Sequence, residues 1–77
     1  MDHAMLELIR ETTSFIESHL IEPLNLDVIS DHVCVSKFHL LRIWKGATET
    51  GLMEYVRRRR LACSLEELLK QIRKSVV

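Results

Sequence analysis

Apolar side chains recur over the first twenty positions at Met5, Leu8, Ile9, Phe15, Ile16 and Leu20, with Thr12 filling the gap in the stripe. That spacing predicts an amphipathic helix over residues 3–21. Pro23 ends it, because proline disfavours helix at Glu22 and has no N–H to continue the hydrogen-bond ladder. Asn25 is suited to cap a second helix over 26–33, with Asp27 near its positive end and Val28, Ile29 and Val33 as its inward side. Ser36 is suited to cap a third helix over 36–46, in which Leu40 and Trp44, with Val35 just ahead, point into a core. After a break between Gly46 and Gly51, a long fourth helix over 51–70 carries Tyr55, Val56, Leu61, Leu65, Leu68 and Leu69. The expected buried set is Ile16, Leu20, Leu26, Ile29, Leu40, Trp44 and Tyr55.

Length and composition narrow this pattern to one all-α unit. Seventy-seven residues hold a single domain near the size where one core becomes marginal, and 47% apolar residues with only two glycines and one proline favour compact helices over disorder. No apolar run approaches the roughly 18 residues that cross a bilayer, and the acidic, interrupted N-terminus is no signal peptide. A cytoplasmic protein with no membrane partner is expected. Cys34 and Cys63 lie far apart and form no metal-binding or redox pair, which reads as two ordinary thiols.

Charge changes the picture more. The formal net charge is zero, yet residues 1–31 hold seven acids against Arg10 alone, and residues 32–62 hold seven bases against Glu49 and Glu54. The local field, rather than the total, steers a polyanion toward the middle of the chain. The bland alternative is that acids of the first helix pair with the Arg57–Arg60 row.

The third helix concentrates the candidate chemistry. With Leu40 and Trp44 inward, Lys37, Phe38, Leu41, Arg42 and Lys45 lie on the other side, mixing cations with groups suited to a groove of nucleic acid. Two short helices joined around Cys34, the second cationic, make a helix-turn-helix whose second helix enters the major groove. Arg42 is the foremost candidate for base readout, since its planar fork bonds both O6 and N7 of guanine. Phe38 is a candidate groove contact because other residues already occupy the core face. Ser36, Lys37, His39 and Lys45 are candidates for phosphate, contacts that orient without reading sequence. His32, Cys34 and His39 fit no usual zinc spacing, so no metal and no cofactor is expected. Neither a supported nucleophile nor a glycine-rich phosphate loop is present, which argues against an enzyme.

The run Glu22-Pro23-Leu24-Asn25-Leu26-Asp27, the stretch from Val35 to Lys45, Tyr55-Val56 leading to Arg60-Leu61, and Leu68-Leu69 together resemble the AraC/XylS family of bacterial transcription regulators, nearest its MarA, SoxS and Rob branch. The resemblance implies a homeodomain-like three-helix unit followed by a long linker helix. Family DNA-binding domains carry two helix-turn-helix units joined by such a helix, each reaching a major groove on one face of the duplex. On that reading residues 1–50 are the first unit, 51–72 the linker helix and 73–77 the start of a second unit that is missing. Double-stranded DNA is the implied partner, with RNA polymerase a further partner of the full regulator.

Three positions depart from the family's pattern. Thr48 is followed by Glu49 where relatives commonly have a left-handed glycine, and Gly46 or Gly51 is expected to absorb the turn instead. Cys34 stands at a turn position often held by glycine. Leu41 replaces a polar, base-contacting side chain, so contact with a thymine methyl is expected there. A second function remains open from the residues alone: a protein-interaction or dimerisation module, self-associating through apolar groups of the long helix.

Overall fold

The computed structural model describes residues 3–76, with the side chain of Val76 left out, and these residues form an all-α fold of four helices. Helix α1 spans His3–Ser18, α2 Leu26–Val33, α3 Lys37–Thr48 and α4 Leu52–Val76. The first three enclose the core with the start of α4. The rest of α4 runs outward and stretches the molecule to 50 × 22 × 17 Å.

The two expected caps form. Asn25, in extended conformation, accepts the Val28 N–H at 2.9 Å, and the Ser36 hydroxyl accepts the His39 N–H at 3.2 Å. Each supplies one of the acceptors that the first turn of a helix lacks.

Ile16, Ile29, Leu40 and Trp44 are buried as the stripes require, joined by Leu24, Val33, Ile43, Leu52 and Val56. Leu20, Leu26 and Tyr55 are only half-buried, packed against the outside of that cluster. Val28 is left 41% exposed, while Ser30 is buried and its hydroxyl donates to the Asp27 carbonyl at 3.1 Å. Thr12 is fully buried in the α1 stripe and donates to the Leu8 carbonyl at 2.8 Å, so its polarity is satisfied within its own helix.

Helix ends differ from the spacing in three places. Helix α1 stops at Ser18, three residues early, because His19 N–H turns to the Ile16 carbonyl and Glu22 N–H to the His19 carbonyl, each at 3.1 Å. Those tight turns bring the chain round in time for Leu24 to enter the core, and leave Ile21 exposed. Helix α3 continues two residues past Gly46, which sits in the helix with ordinary backbone angles. Helix α4 runs through residues 73–76, past the expected stop, because its second half is rich in Leu, Glu, Lys, Arg and Gln and holds no Gly or Pro.

The turn after α3 corrects the sequence reading. Neither glycine takes a positive φ; Glu49 does so itself at 63°, closing the helix with its N–H on the Lys45 carbonyl at 2.9 Å. Cys34 takes the same role after α2 at φ 59°, its N–H turned back to the Asp31 carbonyl at 3.3 Å.

Candidate nucleic-acid interface

At 100° per residue, Phe38, Arg42 and Lys45 fall within about 60° of arc on α3, opposite the buried Leu40, Ile43 and Trp44. Phe38 is 82% exposed, which for a phenyl ring leaves nearly all of its apolar surface in water. Trp44 is held in the core instead, tilted against the Tyr55 ring with centroids 5.2 Å apart. Its indole N–H, expected to find a partner when buried, has none among the described residues. One helix therefore carries both an anchoring aromatic and a presented one.

The remaining candidates surround this row. Ser36 uses its oxygen to cap α3, which leaves its own O–H free to donate outward. Lys37 Nζ lies 2.6 Å from Asp27 Oδ1 on α2, and that bond, followed by the Asp27 charge, raises its pKa. Lys45 donates to the Glu49 carbonyl at 3.1 Å, placing a cation at the negative end of the helix. Arg42 enters no ion pair among the described residues. His39 is exposed on the flank nearest α1. Leu41, read from sequence as lying wholly on the outward side, is half-buried and packs against the core.

The arginine row divides. Arg59 grips Glu17 of α1 with Nε 3.1 and 3.0 Å from the two carboxylate oxygens and Nη2 2.9 Å from Oε1, while Tyr55 donates its hydroxyl to Oε2 at 3.3 Å. The Arg59 hydrogen bond holds the Glu17 carboxyl below its ordinary value against a smaller upward push from burial. Burial first, then the Glu17 charge, raises the Tyr55 phenol, and the Glu17 bond raises Arg59 further. Arg58 reaches Glu54 one turn back at 3.4 Å. Arg57 and Arg60 have no ion pair among the described residues.

The expected pairing of some arginines with α1 acids thus holds for Arg59. Nothing in the sequence singles out Arg59 or Glu17 from their neighbours, nor Asp27 as the partner of Lys37. Only the approach of the helices selects them.

With this geometry in view, relatives can be weighed. Regulatory protein SoxS of Escherichia coli K12 is 34% identical over 62 residues, covering 80% of this chain and 58% of SoxS. SoxS of Salmonella typhimurium is 36% identical over the same length and coverage. The right origin-binding protein of Escherichia coli K12 is 39% identical over 57 residues, 74% of this chain and 20% of that protein. Transcriptional regulator Rob of Salmonella typhimurium matches to the same extent.

The chain is a homologue of SoxS and Rob, regulators of the AraC/XylS family. It spans little more than half the length of the SoxS relatives and a fifth of the origin-binding ones. These relatives bear the names of regulators, not of enzymes. No family model matches, and no solved structure matches. Among the described residues no helix is long and apolar enough to cross a membrane.

Proposed function

We propose that this chain binds double-stranded DNA as a helix-turn-helix unit of a transcription regulator, with α3 seated in the major groove. The observation that carries the proposal is the outward row of Phe38, Arg42 and Lys45, exposed on a helix whose other side is fixed in the core by Leu40 and Trp44. A rigid helix with a cationic, partly apolar face is what groove reading needs.

In this reading Arg42 bonds a guanine edge, Phe38 packs in the groove, and Leu41 offers a methyl contact from the smaller part of its surface left exposed. Ser36, Lys37, His39 and Lys45 contact phosphate and set the register. Lys37 exchanges Asp27 for a phosphate oxygen at little cost, since an ion pair exposed to water is weak. Arg57 and Arg60 can add to the field. Helix α4 acts as the linker toward a second unit, which the partial coverage of SoxS supports, and a whole regulator would also meet RNA polymerase.

One recognition helix reaches few base pairs, and each good base contact discriminates by about 1–3 kcal/mol, so binding by this chain alone is weak and poorly selective. Its log K falls with log salt at about −0.9 per phosphate engaged, for about three to five phosphates. Arg42→Ala, placed in a regulator that contains this unit, relaxes preference at one operator position. Lys45→Ala weakens all sequences alike and lowers the salt slope by about 1. If Arg42→Ala changes neither affinity nor base preference, the assignment of α3 is wrong.

A second reading is carried by a different observation. Leu61, Leu65, Leu68, Leu69 and Ile72 of α4 are each about half exposed. An apolar stripe of that size favours association with another protein chain.

A further inference from the structure

Lys37, the first residue of α3, is held differently from the other cations of that helix. Arg42 enters no ion pair among the described residues, and Lys45 bonds a neutral group, the Glu49 carbonyl at 3.1 Å. The Lys37 ammonium meets a full negative charge instead, Asp27 Oδ1 at 2.6 Å. Asp31, one turn further along α2, adds its charge to the same ammonium through space.

This pair spans the turn between the two short helices, and its acid stands in the first turn of α2. In a helix-turn-helix the first helix crosses the phosphate backbone while the second enters the groove. A phosphate oxygen that takes the Lys37 ammonium therefore comes within about 6 Å of the Asp27 carboxylate, inside the Debye length of about 8–10 Å. One ammonium does not neutralise two anions. The exchange itself costs little, because the pair is exposed, but the freed carboxylate then holds a cation from solution just as the phosphate releases one. Net counter-ion release at this position is close to zero.

We infer that Asp27 serves as an internal counter-ion at the entry end of α3, cancelling the contribution of Lys37 to the sequence-independent attraction for phosphate. The inference rests on the DNA-binding reading above and adds to it a residue that sets the strength of binding without touching a base. Its effect falls on all duplexes alike, since phosphate contacts carry no base information. Asp27 can be neutralised without disturbing α2, because the cap belongs to Asn25 and the Ser30 hydroxyl bonds the main chain of Asp27.

The test is fluorescence anisotropy of a labelled duplex of mixed sequence, titrated with the full chain and its variants at several salt concentrations, each variant checked for native helix content by circular dichroism. Asp27→Asn is expected to steepen the fall of log K with log salt by about 0.9, the increment of one further phosphate. With binding constants that converge at about 1 M salt, that slope gives a gain of about fifteenfold near 50 mM and about fourfold near 200 mM. Adding Lys37→Ala to Asp27→Asn is expected to return both affinity and slope to wild type. Glu67→Gln makes the same change in net charge but lies about 20 Å along α4 from Leu52, so it is expected to leave both nearly unchanged.

An Asp27→Asn chain with wild-type affinity and slope overturns the inference, and one that binds more weakly overturns it in favour of Asp27 orienting Lys37 for DNA. An equal gain from Glu67→Gln overturns it in favour of net charge alone, and a double variant that keeps the gain shows that Asp27 does not act through Lys37. If Arg42→Ala alters binding while Asp27→Asn does not, this inference alone fails. If neither wild type nor Asp27→Asn binds duplex, the DNA-binding reading fails with it.

Discussion

Replacing Glu49 by glycine should make this protein more stable. Glu49 closes α3 at φ 63°, a conformation in which its Cβ crowds the following carbonyl. The left-handed region costs a non-glycine residue about 1–2 kcal/mol. Part of that gain is offset by the greater freedom of glycine in the unfolded chain, leaving about 1 kcal/mol. The closing bonds survive the change, because the Glu49 N–H to Lys45 carbonyl bond and the Lys45 Nζ to Glu49 carbonyl bond both use main-chain atoms at position 49. For a domain of this size 1 kcal/mol corresponds to about 4–8 °C in Tm.

Thermal and urea unfolding followed at 222 nm read the effect, with an unchanged m-value showing that the folded state, not its compactness, has shifted. Glu49→Gln is the control, since it removes the same charge but keeps the strained Cβ, and should move stability by under about 0.5 kcal/mol. Gly46→Ala gives the opposite lesson: this glycine lies inside α3 with ordinary angles, and a Cβ there meets nothing within 4 Å. It should gain about 0.5–1 kcal/mol from helix propensity. If Glu49→Gly fails to raise Tm, or rises no more than Glu49→Gln, the assignment of backbone strain to position 49 is refuted.

The Glu17–Arg59 clamp should show itself in pH dependence. Because Arg59 lowers the folded-state pKa of Glu17 below 4.5, its stabilisation is complete above that value and is lost as pH falls through the lower folded one. The stability gap between wild type and Glu17→Gln, read from urea midpoints, should narrow as pH falls below 4.5; a gap that stays constant as the medium is acidified would contradict the clamp. On α3, Phe38→Ala should alter stability by under about 0.5 kcal/mol yet weaken DNA binding, whereas Leu40→Ala should cost about 2–5 kcal/mol. Equal destabilisation by both would mean that the outward and inward sides of the helix have been exchanged.

Much of this architecture is local, and local features are legible in a linear sequence. Asn25 and Ser36 cap their helices through atoms three residues away, and the four-residue step from Leu40 to Trp44 sets which side of α3 faces inward and so turns Phe38 and Arg42 outward. A cap or a stripe needs no knowledge of what packs on it. The family pattern from Glu22 to Leu69 is read from the residues in the same way.

What the periodicity of one helix cannot carry is the position of another. Ile29 is fully buried and its neighbour Val28 is not, because α1 covers one side of α2 only; Val56 outranks Tyr55 in the core for the same kind of reason. Arg59 rather than Arg57 or Arg60 meets Glu17 because the angle between α1 and α4 brings that one guanidinium within 3 Å. Glu49 rather than Gly46 bears the left-handed turn because Gly46 is still inside α3 when the chain must swing toward α4. The apolar stripe from Leu61 to Ile72 reads in sequence like any core stripe, and tertiary structure leaves it half exposed because α4 extends beyond the helices that could cover it. Sequence alone determined the helices, their caps and the outward face of α3; the packing of helix on helix decided which side chains are buried, paired, strained or left open to a partner, since each of those depends on atoms distant along the chain.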